Sequence, residues 1–262
     1  MILAVDARNN SIAIGVKAED RWLCRFTLAS QVRSSDEWHF LISRMISDRG
    51  IPTLVFERVI LSSVVPSLTP RLVACLRHFL ADGDEVLVVG PGLRTGIRIR
   101  TENPAEVGSD LVCNAVAALE FLAPPLLIVD FGTALSVTAL DAAGDLVGVA
   151  LAPGMELAVD ALRTGGARIP QVRLEDPRRA CGRNTNESVS AGLVYGYRGL
   201  VRELCGLMAA EMGGSARVVG TAKTEGPPLD MGADFWVWRP RLSLEGLALI
   251  AARQLTSGAA KR

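Results

Sequence analysis

Ile128-Val129-Asp130-Phe131-Gly132-Thr133-Ala134 is the stretch on which the fold turns. An apolar run closes on an acid, a glycine lets backbone approach a ligand, and a threonine hydroxyl can donate to phosphate. Acid, glycine and hydroxyl at a strand end suit a phosphate with its counter-cation, although the same residues also fill ordinary hairpin turns. Strand-like runs follow at 135–140 and 146–151, separated by Ala142-Ala143-Gly144-Asp145.

The beginning of the chain has the same plan. Residues 2–6 form an apolar run ended by Asp6; a polar turn follows, then strand-like runs at 12–16 and 21–28. Asp6 and Asp130 lie 124 positions apart. Helical patterns follow each three-strand unit, at 36–48 and 70–80 in the first half and at 186–212 in the second, with further strands at 59–65, 86–89, 217–220 and 235–237. A chance echo of common α/β elements is the competing reading, but the paired acid-turn signature favours duplication. The expectation is an α/β protein of two halves, 1–115 and 116–262, with two mixed sheets flanked by helices around a cleft. Each half offers a strand-turn-strand hairpin to a nucleotide's phosphates. A last apolar helix over 242–255, with Ser243 and Glu245 near its first turn, is expected with the long helix of the second half to cover the sheets.

Composition narrows the function classes. The 262 residues are 49% apolar, enough for a substantial core, and 28 Lys plus Arg balance 28 Asp plus Glu. No bulk field attracts nucleic acid or an anionic membrane, so an anionic ligand must be held locally. The five cysteines, Cys24, Cys75, Cys113, Cys181 and Cys205, form no CxxC pair. With no leader-like N-terminus and no apolar run of roughly 18 residues, a cytoplasmic protein is expected. The two histidines, His39 and His78, lie in helical patterns, which leaves proton transfer to carboxylates.

One such carboxylate is Asp110. Gly90-Pro91-Gly92-Leu93-Arg94-Thr95-Gly96 is a glycine-rich loop after a strand, and Asn103-Pro104-Ala105-Glu106-Val107-Gly108-Ser109-Asp110 leads into an apolar helix at 111–122. Asp110 at the helix start reads as an N-cap or as an acceptor for the proton of an attacking hydroxyl.

Taken in order, residues 90–110, Asp130 to Ala134, Ala152-Pro153-Gly154-Met155-Glu156, Gly182-Arg183-Asn184-Thr185 and Leu242-Ser243-Leu244-Glu245-Gly246-Leu247 resemble successive motifs of type III pantothenate kinases. Ser63-Val64-Val65-Pro66 and Gly192-Leu193-Val194-Tyr195-Gly196-Tyr197 fit the same register, so the resemblance spans nearly the whole chain. It implies the actin-like, ribonuclease H-like fold of the acetate- and sugar-kinase superfamily. It also implies a homodimer with substrate at the interface, and transfer of a phosphoryl group from ATP to pantothenate, the first step of coenzyme A synthesis. By position, Asp110 is the implied base, and Gly108, Ser109, Asp110 and Thr185 the pantothenate contacts. Asp130 is the implied site of a monovalent cation, potassium or ammonium. Gly132 and Thr133 face ATP, and Asp6 with Ala7, Arg8, Asn9 and Asn10 organises magnesium and phosphates.

Four positions depart from the family pattern. Its first phosphate turn reads Asp-x-Gly-Asn-Thr, where this chain has Asp6-Ala7-Arg8-Asn9-Asn10. Thr101 stands for the usual tyrosine and Leu111 for the usual arginine at two substrate-contact positions, while Gly220-Thr221-Ala222-Lys223 replaces a Thr-Gly-Gly turn. Replacing a cationic anchor with Leu111 removes a charge-assisted contact of about 1.5–3 kcal/mol to a carboxylate. The Arg8 side chain must either leave the cleft or occupy phosphate space, where it could also supply a bidentate phosphate contact. Three functions accommodate these changes: a pantothenate kinase, a binding or regulatory protein of the same fold, and a kinase for another small alcohol.

Overall fold

The computed structural model describes residues 1–51, 55–165, 174–228 and 231–259. They form ten strands and six α-helices: β1 (Ile2–Ala7), β2 (Ser11–Ala18), β3 (Arg21–Ala29), α1 (Ser35–Ser47), β4 (Arg58–Ser63), α2 (Thr69–Arg77), β5 (Leu87–Val88), α3 (Ser109–Phe121), β6 (Leu126–Phe131), β7 (Ala134–Leu140), β8 (Leu146–Pro153), α4 (Met155–Gly165), α5 (Thr185–Glu211), β9 (Arg217–Ala222), β10 (Val237–Trp238) and α6 (Leu242–Ala259).

The strands make two five-stranded sheets, ordered β3-β2-β1-β4-β5 and β10-β9-β6-β7-β8. Read from the other edge, the second is β8-β7-β6-β9-β10, the same topology repeated. In both, a three-strand antiparallel meander opens the sheet and its first strand then pairs in parallel with a later one. The register repeats as well: Asp6 pairs with Ser62 on the parallel side, and Asp130 with Thr221. An acid beside a hydroxyl at the end of the central strand therefore occurs once in each sheet.

Two compact units contain these sheets: unit 1 is Met1–Ile97, Glu102–Glu120 and Leu242–Arg262, and unit 2 is Arg98–Thr101 and Phe121–Arg241. The last helix thus belongs with the first sheet, whereas the sequence suggested the C-terminal half. Its apolar residues Leu244, Leu247, Ile250 and Ala251 are buried with Ala4, Ile60, Cys113 and Val116. Residues 98–100 run beside β8, with Arg100 N donating to Leu146 O at 2.8 Å and Leu146 N to Arg98 O at 2.9 Å.

Strand alternation decides which face each acid takes. In β1, Leu3, Val5 and Ala7 enter the core with Trp38, Ile42 and Ile46 of α1 and Leu72 and Leu76 of α2. Ala4 faces the opposite way, toward α3 and α6. Two residues on, Asp6 shares the face of Ala4. In β6, Leu127 and Val129 pack with Tyr197, Val201 and Cys205 of α5, so Asp130 lies on the face away from that helix. Both central strands are apolar over their length because both faces are covered, as expected for strands with parallel partners.

Helix α4 differs from the others. The segment after Pro153-Gly154 carried no helical expectation, yet it forms eleven residues of helix, none of them buried. Leu157 and Leu162 on it are 49% and 38% exposed, and Leu151 of the adjoining strand is 68% exposed.

Candidate functional site

Asp6 is the centre of the polar cluster in unit 1. Its carboxylate is 1% exposed. Oδ2 accepts from Ser243 Oγ at 2.6 Å and from Arg8 Nε at 2.8 Å, while Oδ1 is buried with no hydrogen-bond partner among the described residues. The Arg8 Nε also lies 3.7 Å from Asp110 Oδ2, so one guanidinium joins the two acids. Arg8 therefore points inward, resolving the two orientations left open by sequence. Its backbone is fixed in the hairpin by donation to Ser11 O at 2.9 Å, with the exposed Asn9 and Asn10 at the tip.

Helix α3 delivers the second acid. Asp110 lies in its first turn, where Oδ1 accepts from Leu111 N at 3.0 Å. Asp110 is thus inside the helix and bonds the adjacent amide rather than capping one two or three residues on, while its charge favours the helix N-terminus and Oδ2 faces Arg8. The preceding Ser109 shares a 2.9 Å hydroxyl contact with Ser62 of β4, tying the helix start to the strand beside Asp6. A Cβ at Gly108 would come 2.6 Å from Asp110 Oδ1, so a side chain there would displace that carboxylate. Leu111 turns into the core at 8% exposure, where its alkyl side chain offers no charge to a ligand. Behind the acids the Cys113 thiol is fully buried, and its pKa is pushed well up by burial, with Asp6 and Asp110 adding to the effect.

How α3 and α6 come close enough is written in Gly246, where a side chain would overlap the Cys113 carbonyl oxygen. One turn earlier on the same helix, Ser243 reaches Asp6. Glu245 accepts from the Trp22 indole and sits 3.4 Å from Lys17 Nζ, fastening the helix to β2 and β3.

In unit 2, Ser136, Asp130 and Thr221 stand side by side on three neighbouring strands. Their exposures are 4%, 3% and 2%, which makes a buried row of side-chain oxygens. The turn that follows is pinned: Gly132 N donates to Ala134 O at 3.2 Å and Gly154 N to Thr133 O at 2.8 Å. A side chain at Gly154 would overlap the carbonyl oxygens of Gly132 and Thr133, so that glycine permits β8 to close on the turn. Pro153 O in turn accepts from Tyr197 of α5 at 2.7 Å. Thr185 opens α5 behind an Asn184 cap, whose Oδ1 accepts from Glu187 N at 2.9 Å. The Glu187 carboxylate in turn accepts from Arg183 N at 2.9 Å and from Asn184 Nδ2 at 3.0 Å. Thr101 also belongs to unit 2, and its hydroxyl is buried with no hydrogen-bond partner among the described residues.

Thus Asp6, Arg8, Ser109 and Asp110 converge in unit 1, joined by Ser62 and Ser243, while Asp130, Gly132 and Thr133 form a second group in unit 2. Ser62 and Ser243 were absent from the sequence-derived site. Ser62 is marked only by its position beside Asp6, and Ser243 only by its place in the last family-like motif.

Residues 2–206 match the family model described as type III pantothenate kinase. A type III pantothenate kinase of Moorella thermoacetica is 38% identical over 259 residues, covering 97% of this chain and 99% of the relative. One of Myxococcus xanthus is 34% identical, covering 98% and 100%. Among solved structures, the activator of the 2-hydroxyisocaproyl-CoA dehydratase from Clostridium difficile, with bound ADPNP, matches with a TM-score of 0.54 at 11% identity, over 100% of this chain and 97% of that one. That likeness concerns the fold.

Proposed function

The chain belongs to the type III pantothenate kinase family and transfers the terminal phosphoryl group of ATP to pantothenate, the first step of coenzyme A biosynthesis; we propose that Asp110 is the base of that transfer. The pantothenate hydroxyl oxygen forms the new bond to the γ-phosphorus, the bond to the β,γ-bridging oxygen breaks, and the hydroxyl proton passes to Asp110. Such transfers rely on positioning and charge more than on covalent chemistry. The observation that carries the assignment is the convergence of Asp110 and Asp6 on one guanidinium in unit 1.

The residues around Asp6 fit magnesium. A buried, unpartnered Oδ1 on a carboxylate otherwise held by Ser243 and Arg8 is a hard oxygen donor, and magnesium is usually bound through one or two carboxylates with phosphates and water completing its shell. When bound, the ion would neutralise charge on the phosphates. Asp6, Ala7, Asn9 and Asn10 form the first phosphate turn, within which the Arg8 guanidinium is directed to Asp6 and Asp110. In unit 2, the oxygen row Ser136, Asp130, Thr221 suits a potassium or ammonium ion, and Gly132 and Thr133 the nucleotide. Gly108 and Ser109 in unit 1, and Thr101 and Thr185 in unit 2, are the positions proposed to meet pantothenate; Leu111, turned into the core, is not among them.

The working form is a homodimer. Its support is α4, which has no fully buried residue and exposes Leu157 and Leu162, with Leu151 exposed on the adjoining strand. All five cysteines are free, in keeping with the cytoplasm.

Asp110→Asn tests the base. The expected loss in kcat is about 10²–10⁴-fold with ATP affinity unchanged by calorimetry; a variant of full activity would remove Asp110 from the reaction. For the dimer, Leu157→Glu with Leu162→Glu should shift sedimentation equilibrium toward monomer, and an unaltered distribution would place the interface elsewhere.

A further inference from the structure

We infer that Arg8 is the positioning residue for Asp110: anchored on Asp6, its guanidinium draws the Asp110 carboxylate into the attitude in which it receives the substrate proton. The inference rests on Asp110 being the base.

The anchor is bonded at both of its residues. Asp6 is buried in the central strand and bonded by Ser243, and the Arg8 backbone is held by Ser11 across the hairpin. The Arg8 side chain is 22% exposed, so most of it has left solvent. From that anchored position Nε stands 2.8 Å from Asp6 Oδ2 and 3.7 Å from Asp110 Oδ2. A buried carboxylate and a largely buried one this close to one point repel each other, and the repulsion is stronger than it would be in water. A cation between them reverses its sign. On its own helix Asp110 Oδ1 accepts from Leu111 N, and its other oxygen, Oδ2, is the one that faces Arg8.

A guanidinium suits this task better than an ammonium. Its donors lie in one plane on a delocalised charge, so a single anchored group can address two carboxylates without turning. The side chain thus acts on the reaction through Asp110, and a phosphate contact is not needed to explain its inward orientation.

Arg8→Ala and Arg8→Lys, each also combined with Asp110→Asn, separate the alternatives. Arg8→Ala is expected to lower kcat about ten- to a hundredfold while the ATP dissociation constant from calorimetry moves less than about threefold. Arg8→Lys, which keeps the charge and the packing stem, should recover part of kcat, and added guanidinium ion should partly rescue Arg8→Ala. In the Asp110→Asn background, Arg8→Ala should change kcat little further, because both act at one point. Three results would overturn the inference: Arg8→Ala as active as the parent, a loss of ATP affinity equal to the loss in kcat, or multiplicative losses in the double variant. If Arg8→Ala does not fold, the Arg8→Lys and Arg8→Lys/Asp110→Asn pair decides by the same criterion. An active Asp110→Asn alone would sink the base assignment itself, independently of how Arg8 behaves.

Discussion

The Ser243 hydroxyl donates to the Asp6 carboxylate at 2.6 Å, joining the first turn of α6 to the first strand across 237 positions of sequence. The bond is buried, and Asp6 Oδ1 has no partner among the described residues, so few donors hold this carboxylate. Helix α6 is therefore a part of the site as well as a cover for the first sheet.

Ser243→Ala should weaken both roles. Losing a hydrogen bond to a buried ionised acceptor costs about 1.5–3 kcal/mol. The urea midpoint should fall accordingly, and kcat should fall with it because Asp6 can rotate, whereas Ser243→Thr should retain most of each. A Ser243→Ala enzyme with the parent's midpoint and kcat would show that Arg8 alone suffices to hold Asp6.

Gly246→Ala tests how closely α6 must approach α3. The new methyl would overlap the Cys113 carbonyl, a backbone atom that cannot rotate aside. Forced separation of a packed pair typically costs about 1–3 kcal/mol, or roughly 2–4 °C in Tm per kcal/mol at this size. Gly192→Ala in α5 has nothing within 4 Å and makes the control, expected to leave Tm level or slightly raised. Equal Tm values for the two variants would refute the close-approach argument.

The strands with the strongest local signal were legible: residues 2–6 and 126–130 each read as an apolar run closed by an acid, and they became β1 and β6. The long helix and the start of the apolar helix at Asp110 were legible for the same reason, a local period. What escaped depends on partners remote in sequence. Ser243 looks like any serine at a helix start until the helix lands on Asp6. Residues 98–100 look like a loop because their hydrogen-bond partner, Leu146, is supplied from far along the chain. Helix α4 was missed because Pro153-Gly154 reads as a break and the helix has no fully buried residue. Arg8 was legible as a departure, but its direction is fixed by Asp6 and Asp110 together.

Asn184→Ala should loosen the start of α5. The Asn184 side chain caps Glu187 N, and Glu187 closes the reciprocal contacts. Removing such a cap costs about 0.5–2 kcal/mol. With Thr185 in the pantothenate-facing set, the KM for pantothenate should rise severalfold while the KM for ATP stays near its original value. Steady-state kinetics with each substrate varied in turn checks this, and equal shifts in the two KM values would detach the α5 start from pantothenate binding.

Stability should also decline in alkali for a specific reason. Burial pushes the thiols of Cys75 and Cys205 up to about 12 from an ordinary 9.0, with Asp36 and Asp234 contributing in turn. The folded chain therefore keeps both protons to higher pH than the unfolded chain does. Below about pH 9 both states hold them and the contribution is complete. As pH rises from about 9 toward 12 the unfolded state releases protons that the native state retains, so unfolding becomes progressively more favourable. Urea midpoints measured at about pH 8 and about pH 10 should show this decline in the parent and a smaller one in Cys75→Ala/Cys205→Ala, whose alanines cannot titrate. Identical slopes in the two proteins would assign the alkaline loss to other groups.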